Sequence, residues 1–385
     1  MSAPTSTNRL LISADSHMAE PPDLWEKNLP AKLRDRAPRF PDVRQLETPM
    51  DLRAGGWDPH ERLKDMAVDG VAAEVLYTTK GNAVWHPDDL ELEEACVRVY
   101  NDFLIDFCKV APERLWGLGL VSLYDIEHAI AELERIKLGG LKGAAIWIAA
   151  PESLPYSSEH YERFWAAAQD MEMPLGMHIN ARYTRRATDP GGLRQLHSVN
   201  GHKFDGMSSL GQIIASGVME RYPRLQVAVA EIGIGWIPFW LQELDYYTAA
   251  RTNLPRPPSE YFRRQVTSTF ISDAVGGVLL REYDWLQDVA VWSSDYPHIA
   301  TVWPDSTEIM QADLGHLPAD VQEKVIWRNA ARVFNHGQPP VPADEAPEDY
   351  AADVRLWVQK TGAFGWMSRT HNAPEAGRVG SSAGV

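Results

Sequence analysis

Eight short apolar runs recur along this chain, and segments of helical character separate most of them. The runs fall at 10–17, 72–78, 115–121, 143–148, 175–179, 225–231, 269–272 and 289–295. The helical segments begin near 59 and continue at 90–111, 126–137, 158–171, 206–221, 236–250 and 275–282. Runs that are apolar almost throughout suit strands covered on both faces. Eight strand–helix repeats are the count of a (β/α)8 TIM barrel, so an α/β chain folded as a distorted barrel is expected. A doubly wound open sheet is the competing architecture. No glycine-rich phosphate loop supports it, because Gly117-Leu118-Gly119 lies inside a run and lacks the third glycine.

With 385 residues the chain is long enough to bury a large core. Residues 1–337 are expected to form the barrel domain and 338–385 a partly extended C-terminal extension. Two long loops stand outside the repeat, a Pro-rich one at 18–58 and a polar one at 180–205. Both follow strands, and loops after strands build the active face of a barrel. The extension is Pro/Ala/Glu-rich, with one amphipathic patch from Tyr350 to Val358 and a Gly/Ser end expected to fray from about 372. Such an arm can pack on a neighbouring subunit or on its own barrel.

A formal net charge of −16 excludes a nucleic-acid partner and an anionic membrane surface, since both need basic patches. No apolar run approaches the roughly 20 residues that span a bilayer, and the polar start Met1–Thr7 lacks a signal core. Cys96 and Cys108 both fall in the 90–111 segment. Twelve helical residues cover about 18 Å, beyond disulfide reach. The two are expected to be packing residues in a reducing, cytoplasmic setting.

The first run ends in Asp15, with His17 two positions on and Glu20 three beyond. Residues i and i+2 of a strand point to the same side. Asp15 and His17 can therefore reach one point, with Glu20 folding back from the loop. His178 ends the fifth run, Glu231 the sixth, and Asp295 the eighth, within Ser293-Ser294-Asp295-Tyr296-Pro297-His298. Strand C-termini share one face of a barrel. A single strand-end histidine is usually structural, but four strands delivering His or carboxylate at one end mark a metal centre. The expected ligands are Asp15, His17, Glu20, His178 and Asp295. Glu231, His202 and Asp295 are the expected catalytic groups. Arg182, Trp25 and His298 are expected to contact substrate. Arg182, with Arg185, Arg186 and Lys203 in the same region, offers a charge-assisted bond to a carboxylate.

Carboxylates and imidazoles without a nearby cysteine suit Zn, Mn or Fe. Asp15, His17, His178 and Asp295 can hold one ion with an open position; adding Glu20, Glu231 and His202 supplies enough ligands for two. An open-site metal activates water or polarises a substrate oxygen, the basis of hydrolysis. The same site can hold a carboxylate or phenolate during decarboxylation.

These residues resemble a known family. Asp15-Ser16-His17-Met18-Ala19-Glu20-Pro21, the strand-end His178 and Ser294-Asp295-Tyr296-Pro297-His298 look like the amidohydrolase superfamily, in the branch containing aminocarboxymuconate-semialdehyde decarboxylase. Ser216–Pro223 and Asn329–Phe334 resemble further segments of that branch. Over roughly 8–336 the resemblance implies a distorted TIM barrel with metal at its C-terminal face. By position, Asp15, His17, His178 and Asp295 match the family's metal ligands. Two departures stand out. The decarboxylases usually begin with His-x-His or Glu-x-His, whereas this chain has Asp-x-His. They also carry a catalytic histidine where this chain has Glu231.

Three functions follow. The first is a metal-dependent hydrolase or decarboxylase acting on a small carboxylate. The second, implied by extra carboxylates and by resemblance, is a dinuclear Fe or Mn/Fe dioxygen-dependent hydroxylase. The third is a non-catalytic metal-binding scaffold subunit. The branch also implies a homo-oligomer, or a hetero-oligomer with a homologous subunit.

Overall fold

A computed structural model describes residues 10–39, 53–85, 89–179, 193–248, 251–298 and 300–361. Eight parallel strands follow one another around a single sheet in chain order. They are β1 (Leu11–Met18), β2 (Val71–Thr78), β3 (Leu115–Leu120), β4 (Gly143–Ile146), β5 (Leu175–His178), β6 (Val227–Ala230), β7 (Val266–Phe270) and β8 (Ala290–Trp292). An open doubly wound sheet would break this order where its strand sequence reverses. Here β8 returns to β1, and the sheet is a (β/α)8 barrel.

The helices are α1 (Leu24–Asn28), α2 (Pro59–Asp69), α3 (Leu90–Cys108), α4 (Ile126–Leu138), α5 (Glu162–Asp170), α6 (Leu193–Ala215) and α7 (Val218–Arg221). They continue with α8 (Ile237–Thr248), α9 (Pro258–Gln265), α10 (Ala274–Glu282) and α11 (Ser306–Leu314). A π-helical turn at Lys324–Arg328 joins α12 (Ala319–Glu323) to α13 (Asn329–Phe334), and α14 (Glu348–Thr361) ends the described chain. No helix among the described residues is long and apolar enough to cross a membrane.

Three departures from the sequence expectations have physical causes. The 180–205 region is not all loop: α6 begins at Leu193, and 180–192 lie outside the described residues. The seventh strand starts at Val266, earlier than its apolar residues suggest, because Thr267, Ser268 and Thr269 are strand residues buried by the barrel. Beyond 337 the arm carries a helix, α14, packed on its own barrel. Val354 is buried there with Tyr296 and Trp303, against Tyr350, Trp357 and Val358.

Helix α2 matters most for the site. Asp58 caps its first turn through His60 N and Glu61 N, and Gly70 ends it at φ +71°. Its buried residues are Arg62, Asp65, Met66 and Asp69, an i, i+3, i+4, i+7 stripe in which three of four are charged. Each charged member has a partner. Arg62 pairs with Glu74 of β2, Asp65 with Arg53, and Asp69 accepts from Ser306 N and Oγ. Charge at helical spacing ordinarily reads as a solvated face; here it faces the barrel.

The barrel interior is close-packed. At Gly176 an added Cβ would lie 2.8 Å from both Leu118 and the Tyr77 ring, so only glycine leaves room for that tyrosine. Cys96 and Cys108 are free and buried, and burial pushes both thiols up to about 12. Neither thiol should react with a water-soluble disulfide reagent in the native protein, and both should react once it is unfolded. Titration with and without denaturant checks this.

Candidate metal centre

The ligand-bearing ends of β1, β5, β6 and β8 meet at one point. Strand β1 pairs with β2 through Ser13↔Glu74 and then Ser16↔Leu76, so three steps on β1 answer two on β2. The extra residue makes a bulge between Ser13 and Ser16, the stretch that holds Asp15, and bulges re-aim side chains. Asp295 lies three residues beyond β8 with φ +56°, and Glu231 one residue beyond β6 with φ +61°. Left-handed backbone disfavours non-glycine residues by roughly 1–2 kcal/mol, and it is tolerated where surrounding contacts fix it.

His17 Nε2 lies 3.5 Å from Asp15 Oδ1 and 3.4 Å from Asp295 Oδ1. His178 Nε2 lies 3.4 Å from Asp15 Oδ1 and 3.5 Å from Glu231 Oε2. These separations are long for hydrogen bonds. Two donors each about 2.1 Å from a shared ion lie about 3.0–3.4 Å apart, depending on coordination angle. Asp15 Oδ1, His17 Nε2, His178 Nε2 and both oxygens of Asp295 are buried without a hydrogen-bond partner. An unsatisfied buried polar atom costs about 1–3 kcal/mol. Five of them aimed at one volume fit a cation held there.

The far side of each ring is fixed. His17 Nδ1 bonds to Thr78 O at 3.1 Å, and His178 Nδ1 to Ile179 O at 2.7 Å. A ring that donates from Nδ1 to a carbonyl presents an Nε2 lone pair. Asp15 Oδ2 accepts from Thr269 Oγ1, 3.3 Å away, and the same Thr269 oxygen accepts from Glu231 N. Electrostatics follow the crowding. Burial opposes ionisation of Asp15, but His178 and His17 outweigh it and hold the carboxyl below its usual range. Burial and the neighbouring His298 and His178 push His17 well down, toward the neutral imidazole. Burial and the Asp15 charge push Asp295 well up, and burial and Asp295 push Glu231 up to about 8. Three carboxylates this close cannot all be ionised without positive charge among them.

His298 belongs to the cluster. Its ring stacks on His17 at 3.7 Å, Nδ1 lies 3.2 Å from Asp295 Oδ1, and Nε2 pairs with Thr79 Oγ1. Glu231 and His298 form the solvent side, with side chains 21% and 25% exposed, whereas Asp15 and His17 are sealed.

Two expected site residues are engaged by other partners. The Glu20 carboxylate is held by the turn after β2. It accepts from Thr78 Oγ1, Thr79 N (3.1 Å), Lys80 N (2.9 Å) and Gly81 N. Trp25 packs in the core: it is wholly buried on α1, and its indole donates to Cys96 O on α3. Arg182, Arg185, Arg186 and the side chain of His202 lie outside the described residues. Lys203 reaches Ile232 O at 3.0 Å, next to Glu231.

Sequence reasoning missed Arg62, which is wholly buried beneath the site. It donates to His17 O (2.9 Å), Gly55 O (3.1 Å) and Tyr296 O (3.4 Å) while paired with Glu74. A signal for it did exist: Glu74 is a lone carboxylate in an apolar run, and a buried carboxylate needs a cation.

A family model described as Amidohydrolase matches residues 14–336. The gamma-resorcylate decarboxylase of Polaromonas sp. JS666 is 24% identical over 298 residues, covering 71% of this chain and 86% of that protein. The enzyme of the same name from Rhizobium sp. MTP-10005 is 24% identical over 294 residues, with the same coverage. Among solved structures, 5-carboxyvanillate decarboxylase from Sphingomonas paucimobilis superposes with a TM-score of 0.66 at 24% identity, covering 86% of this chain and 99% of that one. A dihydroxybenzoic acid decarboxylase from Polaromonas sp. JS666, solved with bound manganese and 2-nitroresorcinol, gives 0.63 at 20% identity, covering 85% and 97%.

Removing Arg62 would leave the Glu74 charge buried and unpaired. Arg62→Ala should lower stability by about 3–5 kcal/mol, read as a shift of the urea midpoint. A loss below about 1 kcal/mol would show that the pair does not matter.

Proposed function

The chain belongs to the amidohydrolase family, and from that premise we propose that it is a metal-dependent decarboxylase of a small aromatic carboxylate. The observation that carries this reading is the set of buried, unpartnered ligand atoms on Asp15, His17, His178 and Asp295. These four residues would hold one divalent cation, and the manganese of the solved decarboxylase makes Mn2+ the first choice. When bound, such an ion supplies Lewis-acid charge that anchors substrate oxygens and draws electron density from the ring.

The remaining work falls to the protein. Decarboxylation breaks the bond between ring carbon and carboxylate, releases CO2 and forms a C–H bond at the same carbon, with no net redox change. The new hydrogen needs a proton donor on the open side of the site. Glu231 is the carboxyl placed there, on the backbone turn after β6, with Oε2 toward His178. It stands where the resemblance would place a histidine, so in this chain a carboxyl holds the proton instead. His298, tethered to Thr79 and facing Asp295, orients the solvent side. In this reading the protein works in the cytoplasm as a homo-oligomer, a reducing setting that suits its two free thiols.

Metal-loaded protein, supplied with ortho-hydroxybenzoates such as 2,6-dihydroxybenzoate and 5-carboxyvanillate, should release CO2, followed by 13C NMR. Ester or amide cleavage without CO2, or oxygen uptake on adding substrate, would overturn the decarboxylase reading. His178→Ala should leave the fold intact by circular dichroism and reduce bound metal to about a tenth of an ion per chain or less. Glu231→Gln should keep its metal and lose turnover by about 10²–10⁴-fold, the range of a deleted acid–base group. Unchanged turnover would remove Glu231 from the mechanism.

A further inference from the structure

Helix α14 lies beyond the family-matched residues 14–336, yet it touches the ligand loop through a short hydrogen-bonded chain. Tyr350 OH donates to Asp65 Oδ1 at 3.0 Å and accepts from Arg53 Nη2 at 3.0 Å. Asp65 is ion-paired with Arg53. Its other oxygen accepts from Tyr296 OH, and its backbone carbonyl accepts from the Trp303 indole. The Arg53 guanidinium lies between two rings, 5.0 Å from that of Trp303 and 5.1 Å from that of Trp357 on α14.

Tyr296 is the next residue after Asp295, and its carbonyl accepts from His17 N at 2.7 Å. The Asp65 hub therefore grips the segment that carries one expected ligand and is hydrogen-bonded to another. The packing leaves no slack, since a Cβ at Gly55 would lie 2.5 Å from Tyr296 OH and 2.7 Å from Asp65 Oδ2.

We propose that α14 is a strap for the metal centre, in which Tyr350, acting through Asp65 and Tyr296, is a positioning residue that fixes Asp295 and His17 for the cation. The metal half of this inference rests on the proposed function; the mechanical half does not. A strap differs from a merely stabilising appendage in one respect. Loosening it should change local opening at the seam and affinity for the ion, beyond any effect on global stability.

The test compares full-length Tyr350→Phe with Tyr161→Phe, which deletes a part-buried hydroxyl bond to Leu154 O away from the hub. Val354→Ala loosens the strap at its apolar contact and replaces Tyr350→Phe should that variant fold poorly. Peptide-resolved hydrogen exchange without added metal reads the seam directly. Peptides spanning 13–20 and 293–302 should exchange about five- to tenfold faster in Tyr350→Phe and stay at wild-type rates in Tyr161→Phe. Competition with a chelator should show Mn2+ held about fivefold more weakly in Tyr350→Phe only. Unchanged exchange at the seam refutes the strap. Faster exchange with unchanged Mn2+ affinity refutes its role as a positioning device. If wild-type protein binds no divalent ion, the proposed function falls, and the exchange data alone decide whether α14 restrains the loop.

Discussion

The barrel closes through its own metal-type ligands. Strand β8 has only three residues, and the closing contacts lie beyond its end. Asp295 N donates to Asp15 O at 2.9 Å, and His17 N donates to Tyr296 O at 2.7 Å. The Ser13 hydroxyl reinforces the same seam, accepting from Ser294 N and Ser294 Oγ and donating to Asp15 O. Barrel closure and site geometry are one constraint, because the residues that bring the candidate ligand side chains together also join first strand to last. Arg62 sits beneath this seam and binds the carbonyls of His17 and Tyr296 together.

That coupling explains why so much charge is buried nearby. A cluster of three carboxylates and three imidazoles would expand if its frame were soft. The frame is instead tied to α2, whose buried stripe reaches β2 through Arg62, the ligand loop through Asp65 and α11 through Asp69 and Ser306. Burial drives the Asp69 carboxyl up to about 7 even though Ser306 donates to it twice. Glu231 and Asp295 are both held in left-handed backbone. Such conformations persist only where neighbouring contacts over-determine them, as Thr269 does for Glu231 and the seam does for Asp295.

Much of the site is legible in the chain. Strand-end residues at a barrel's C-terminal face must converge, so Asp15, His17, His178, Glu231 and Asp295 follow from hydropathy and topology alone. The period-two argument for Asp15 and His17 reached the right pairing even though a bulge intervenes between Ser13 and Ser16. Glu20 is harder to read because a carboxylate five residues from Asp15 can turn either toward the candidate ligand cluster or toward the backbone amides of the 78–81 turn. Those amides belong to a segment about sixty residues away and leave no mark on the local sequence. Trp25 is hard to read for a related reason: tryptophans in a loop over the active face and tryptophans anchoring a helix read alike until burial is known.

The sequence by itself determined the repeat, the barrel and the ligand types, because local hydropathy fixes strands and helices and their order fixes which ends share a face. Only the tertiary structure decided how the ring closes, which buried charges pair across it, and that the C-terminal helix turns back onto its own barrel. Those choices depend on contacts between residues far apart in the chain, as between Arg62 and Tyr296 or Asp65 and Tyr350. Partnership across such distances is set by how rigid elements stack, and a one-dimensional pattern of charge and hydropathy does not record it.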